Sequence, residues 1–122
     1  ISPYGASKAA AEHYCNSYYE SFGLNTNIVR FSNVYGSYSL HKTKNLIPAF
    51  ILSCASSKPF TIYGDGSQTR DFVYIDDLIR AIYNIMIKDI ENETFQIATG
   101  EELTVNNIVD KMNILYHKKT GN

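Results

Sequence analysis

A chain of 122 residues with 44% hydrophobic side chains and no low-complexity segment is the size of one small globular domain able to bury a core. Eleven basic and twelve acidic residues, scattered to a net charge of −1, supply neither the positive field a nucleic acid needs nor the basic face of a membrane-surface protein. The longest apolar stretch, 46–52, is too short to span a bilayer and contains Pro48, so no membrane partner is expected.

Ser2 can cap, and Pro3 can occupy the first turn of, a helix predicted to run to about Phe22, where Gly23 supplies the stop. On it Tyr4 and Lys8 stand one turn apart and share a face. That pairing can make a base: a phenol titrates at about 10, and an ammonium group held close favours the phenolate. The spacing alone is weak evidence, because tyrosine and lysine are common here and Tyr38 with Lys42 repeats it in a polar loop. The first copy instead heads an apolar stripe through Ala11, Cys15, Tyr18 and Phe22, flanked by Tyr14, which predicts that Tyr4 and Lys8 point inward. A lysine on such a stripe either snorkels to water or serves a site.

Residues 27–31, Asn-Ile-Val-Arg-Phe, read as a strand feeding a long polar loop over 32–44 that could bind a ligand. A helix is predicted from Leu46 to about Ser53, then a short strand over 60–63 and the turn Gly64-Asp65-Gly66-Ser67. After residues 71–75, Asp76 or Asp77 can cap a helix whose apolar positions are Leu78, Ile82, Ile85 and Met86. A strand follows over 94–98, and Thr104 starts a last helix with Val105, Ile108, Val109, Met112, Leu115 and Tyr116 facing inward.

Alternating helices and strands predict an α/β fold with a largely parallel sheet, of which four short strands can be only a part. Cys15 and Cys54 fall on predicted apolar helix faces and read as reduced core residues. His13, His41 and His117 make no metal-ligand spacing and read as surface or packing residues, so no metal is expected. With its most suggestive residues directly after Ile1, the chain reads as an internal piece of a longer protein.

Four blocks stand in order: Ser2-Pro3-Tyr4-Gly5-Ala6-Ser7-Lys8, Arg30-Phe31-Ser32-Asn33-Val34-Tyr35-Gly36, Asn45-Leu46-Ile47-Pro48, and the run from Ile62 through Gly64-Asp65-Gly66 and Arg70-Asp71-Phe72 to Asp77. Together they resemble the extended short-chain dehydrogenase/reductase family, in its NAD-dependent nucleotide-sugar epimerase/dehydratase branch. Phe95-Gln96-Ile97-Ala98-Thr99-Gly100 is similar to that family's late sheet strand and turn. The resemblance implies the C-terminal half of a Rossmann-like doubly wound sheet with the smaller substrate-binding subdomain. It divides the chain into a catalytic helix and following strand (1–36), a substrate-binding segment (37–75), and a helix, late strand and terminal helix (76–122).

The chemistry so implied is that of a nucleotide-sugar 4-epimerase of the UDP-glucose 4-epimerase type, in which Tyr4 takes a proton from the sugar hydroxyl while NAD accepts the hydrogen on carbon. Lys8 would bond the nicotinamide ribose, and main-chain groups at Phe31 and Ser32 the carboxamide. Asn33 and Arg70 would hold the diphosphate, Asn45 and Leu46 approach the substrate at a helix N-terminus, and Thr61 and Tyr63 line the base. A plain turn asparagine at 33, an ordinary strand exit at 31–32 and a surface ion pair at Arg70 are the structural alternatives. Asp71 is expected to be structural.

Ser32 and Ser37 depart from the residues usual in the family. The Gly-rich phosphate turn, the Ser or Thr partner of Tyr4 and the late arginine are not in this stretch, so these 122 residues alone are not expected to turn over or to bind NAD tightly. A nucleotide-sugar 4,6-dehydratase, a UDP-glucuronate decarboxylase and a non-catalytic nucleotide-sugar-binding or dimerisation module share the same blocks. The resemblance also implies a cytoplasmic homodimer.

Overall fold

A computed structural model describes residues 2–39, 41 and 43–120; Lys42, half of the second Tyr/Lys pair, lies outside them. The elements run α1 (Pro3–Phe22), β1 (Ile28–Phe31), β2 (Asn33–Tyr35), α2 (Leu46–Ser56), β3 (Thr69–Arg70), β4 (Phe72–Tyr74), α3 (Ile75–Met86), β5 (Thr94–Ile97), β6 (Leu103–Thr104) and α4 (Val105–Thr120). They form two compact units interleaved along the chain, Ile1–Phe31 with Asp77–Ile97 and Ser32–Asp76 with Ala98–Asn122. Among the described residues no helix is long and apolar enough to cross a membrane.

In the first unit α1 starts and stops where its end residues dictate. Ser2 Oγ accepts the Gly5 N–H at 3.1 Å, and Gly23 turns left-handed at φ 66° and donates its N–H to Tyr19 O at 2.8 Å. The face that packs differs from the one the apolar spacing predicts. Tyr4 is 72% and Phe22 76% exposed, Lys8, Tyr14 and Tyr18 are exposed too, and the half-buried positions are Glu12, Cys15 and Tyr19. Polar ties select that stripe: Arg30 Nε donates to Glu12 at 2.8 Å, Thr26 Oγ1 to Cys15 O at 3.3 Å, and the Tyr19 hydroxyl to Glu91 at 3.2 Å. The Tyr18 and Phe22 rings are left to pack on one another, with centroids 5.4 Å apart.

β1 pairs in parallel with β5, Ile28 opposite Thr94 through Phe31 opposite Ile97. Asn27 fastens the start of the pair, donating Nδ2 to Ile90 O at 2.8 Å and accepting Glu93 N–H at 3.1 Å. α3 begins at Ile75, straight from β4, so Asp76 and Asp77 lie in its first turn rather than capping it. There their negative charges complement the positive end of the helix dipole, and Asp77 also meets Arg80 at 2.6 Å. Of the predicted apolar positions Leu78 is buried, Ile82 and Ile85 are half-buried, and Met86 is exposed.

In the second unit β2 pairs in parallel with β4, Val34 opposite Val73, within what composition reads as a loop. Three residues flanked by serine and glycine carry too little periodicity to announce a strand. The predicted strand over 60–63 pairs with nothing among the described residues. Phe60 packs edge-on to Phe50 at 5.4 Å instead, and Ile62 joins it against the core of Phe50, Val105 and Val109. Cys54 packs there as well, and both cysteines are free thiols. α2 runs one turn past Ser53, closed by Ser57 in the left-handed region. β3 pairs antiparallel with β6, and Thr104 Oγ1 accepts the Asn107 N–H at 3.1 Å, capping α4. Val105, Ile108 and Val109 are buried and Met112 half-buried, but Leu115 and Tyr116 on the last turns are exposed, because α4 outruns the core it packs on.

Candidate functional site

The first unit holds Tyr4, Lys8 and Phe31. The Lys8 Nζ stands 5.5 Å from the centroid of the Tyr4 ring, so the pair shares one face of α1 as the four-residue spacing requires. Ser7 Oγ donates to Tyr4 O at 2.8 Å and leaves the phenol alone. Among the described residues neither the Tyr4 hydroxyl nor the Lys8 ammonium has a hydrogen-bond partner. Phe31 ends β1 and is 54% exposed.

The second unit holds the remaining predicted residues. Asn33 gives both its backbone N–H (3.0 Å) and its Nδ2 (3.2 Å) to Asp71 O, so its amide is oriented rather than loose. The Asp71 carboxylate in turn accepts the N–H groups of Thr99 at 3.1 Å and Gly100 at 2.7 Å. The Ser32 hydroxyl beside it, together with those amides, holds the Asp71 carboxyl below the usual carboxylate range, against the opposing push of burial. Ser32 Oγ is buried and, among the described residues, meets no partner at full hydrogen-bond geometry.

Asn45 precedes α2 in an extended conformation with no side-chain cap bond; Ala49 N–H bonds Asn45 O at 2.9 Å and Pro48 has no N–H, so Leu46 and Ile47 carry the first-turn amides without an intrahelical partner, next to Lys44 in the chain. Thr61 and Tyr63 line a groove of about 620 Å³ with Thr43, Lys44, Leu52 and Lys58 among its other walls. Leu46, the first residue of the groove's helix, is half-buried and packs on the Phe50 core. Arg70 lies in β3 with its guanidinium exposed; it donates to Thr69 O at 2.7 Å and forms no ion pair among the described residues, so the surface-salt-bridge alternative is not what is found.

Sequence reasoning expected a structural role for Asp71 without naming its partners, and it missed Asn106. Asp71 joins Asn33 to the 99–100 turn, which no local pattern announces. Asn106 donates Nδ2 to Asp65 O at 3.0 Å and lies against Gly66; the only sequence signal is the Gly-Asp-Gly turn it faces.

A helix bearing a Tyr/Lys pair, followed by two parallel strand pairs with helices between their strands, is a mixed α/β arrangement compatible with part of a Rossmann-like sheet. The sequence model of the NAD dependent epimerase/dehydratase family matches residues 1–98, and the chain belongs to that family. It is similar to the dTDP-glucose 4,6-dehydratase of Neisseria meningitidis serogroup B, 39% identical over 101 residues that cover 83% of this chain and 28% of the relative. A solved UDP-glucose 4-epimerase with UDP-glucose, from Thermotoga maritima, matches with a TM-score of 0.84 at 35% identity, over 90% of this chain and 36% of that one. A dTDP-glucose 4,6-dehydratase from Bacillus anthracis in complex with NAD matches with a TM-score of 0.87 at 31% identity, over 95% and 37%. The chain thus spans between 28% and 37% of the length of these proteins.

Proposed function

We propose that the protein carrying this chain is an NAD-dependent nucleotide-sugar 4-epimerase similar to UDP-glucose 4-epimerase. The observation that carries the reading is the Tyr4/Lys8 pair, side by side on α1 with the ammonium over the phenol ring and, among the described residues, no hydrogen-bond partner for hydroxyl or ammonium. Two free polar ends on one helix face fit the ribose hydroxyls of the family's cofactor on one side and a sugar hydroxyl on the other. Tyr4 accepts the proton of the sugar 4-hydroxyl and later returns it; Lys8 steadies the negative oxygen and donates to the ribose. When bound, NAD supplies the acceptor and donor for the hydrogen on C4. Main-chain groups at Phe31 and Ser32 meet its carboxamide.

The second unit binds the nucleotide. Arg70, exposed and without an ion pair among the described residues, and Asn33 take the diphosphate, and the amides at Asn45 and Leu46 add donors to it. Thr61 and Tyr63 receive the uracil or thymine. Functionally the chain divides at 1–36, 37–75 and 76–122, and the whole protein acts as a cytoplasmic homodimer. A nucleotide-sugar 4,6-dehydratase is the second reading, favoured by the 39% identity to the Neisseria relative.

The experiment is to incubate the full-length protein and NAD with a panel of UDP- and dTDP-sugars and separate the products. A 4-epimer supports the first reading, a 4-keto-6-deoxy sugar the second. Nucleotide binding without any product leaves a non-catalytic binding module.

A further inference from the structure

The family match ends at residue 98, yet the stretch after it fastens the loop between Tyr63 and Arg70. Asn106 donates Nδ2 to Asp65 O at 3.0 Å and its backbone N–H to Gly66 O at 3.1 Å, and Val105 N–H reaches Gln68 O at 3.1 Å. Within the loop, Asp65 Oδ1 accepts the Ser67 N–H at 3.0 Å and Gln68 Nε2 donates to Tyr63 O at 3.1 Å. The loop is therefore internally braced and moves with whatever holds it. Its two proposed ligand contacts are not self-supporting: Tyr63 is 86% exposed, and among the described residues the guanidinium of Arg70 bonds only the neighbouring Thr69 carbonyl.

The fit between Asn106 and the loop is close. Gly66 is buried at φ +74°, and a Cβ there would stand 2.0 Å from Asn106 Oδ1. The asparagine side chain thus lies flat on the glycine backbone with Nδ2 aimed at the carbonyl before it. An aspartate of the same shape would set an acceptor against the Asp65 carbonyl.

We propose that Asn106 is a positioning residue for the nucleotide-sugar site: from the start of α4 it sets the course of the 63–70 loop, and so the placement of Tyr63 and Arg70. This rests on the reading of those two residues as nucleotide-sugar contacts. The full-length protein, its Asn106→Asp variant and its Asn106→Ala variant are titrated calorimetrically with UDP, dTDP and NAD. Both variants are expected to bind the preferred nucleotide about tenfold more weakly, the scale of one or two lost hydrogen bonds, with NAD affinity unchanged. KM for the nucleotide sugar rises alongside, with kcat nearly constant. Variants that melt at lower temperature but bind the nucleotide as the parent does give Asn106 a purely structural role and overturn the proposal. A parent protein that binds neither UDP nor dTDP removes the nucleotide-sugar reading itself. Hydrogen exchange in the unsubstituted protein gives a test independent of variant folding. Nucleotide should slow exchange of the Val105 and Asn106 amides that hold the loop, and unchanged exchange at both overturns the proposal.

Discussion

The two units hold their candidate residues by different means. In the first, Tyr4 and Lys8 are side by side because one helix puts them there, and the Ser2 cap and Gly23 stop that define the helix are equally local. In the second, Asn33, Tyr63 and Arg70 depend on ties such as Asp71 to Gly100 and Asp65 to Asn106, which join residues 29 and 41 positions apart. Reactive groups can thus be carried by a short motif, whereas a ligand-shaped surface needs the tertiary fold. On the proposed function, chemistry at Tyr4 should fail by loss of a single atom, and nucleotide affinity in the second unit by loss of a brace.

Tyr4→Phe tests that division with the largest effect. It should lower turnover of the full-length protein by about 10²–10⁴-fold, as for loss of a general base, while calorimetric affinity for UDP or dTDP stays within about twofold. A matching loss of nucleotide affinity would break the comparison. Two glycines at nearly the same left-handed φ sharpen it on the side of stability. Gly66→Ala meets Asn106 Oδ1 at 2.0 Å and should cost well over the roughly 1–2 kcal/mol of a left-handed alanine, whereas Gly23→Ala has no atom within 4 Å of the new Cβ and should cost only that amount. Denaturant midpoints of the two variants compare them directly. Ser2→Ala removes the α1 cap and should cost about 1 kcal/mol on the same assay.

The smallest effect is a pH dependence. The carboxyl of Asp71 is held low in the folded protein, so its contribution is present above the ordinary carboxylate value of about 4 and is lost as pH falls through the lower folded one. Asp71→Asn should make the fall of the urea midpoint with acid shallower. An unchanged slope would show that Asp71 does not prefer its charged form in the fold.

What the sequence made legible follows the same line. Ser2, Pro3 and Gly23 are read by rules that involve only neighbours, and α1 begins and ends at them. The β-branched run before Phe31 announces β1, and the apolar spacing of Val105, Ile108 and Val109 announces the buried side of α4. The packed face of α1 was not legible, since Arg30 and Glu91 select Glu12 and Tyr19 from distant parts of the chain. Nor was β2, which exists because Phe72–Tyr74 lies beside it. The Tyr/Lys pair could be located and Asn33, Thr61, Tyr63 and Arg70 named by resemblance, but Asn106 could not, because its partner is a backbone carbonyl and carbonyls leave no trace in a sequence.

The central claim is that hydrogen leaves and returns at the carbon whose hydroxyl Tyr4 deprotonates. UDP-glucose deuterated at C4, incubated with the full-length protein and NAD, tests it most directly. The account predicts a 4-epimer that keeps its deuterium on C4 and forms more slowly than from unlabelled sugar; deuterium released to water, or no epimer despite bound UDP-sugar, would contradict it.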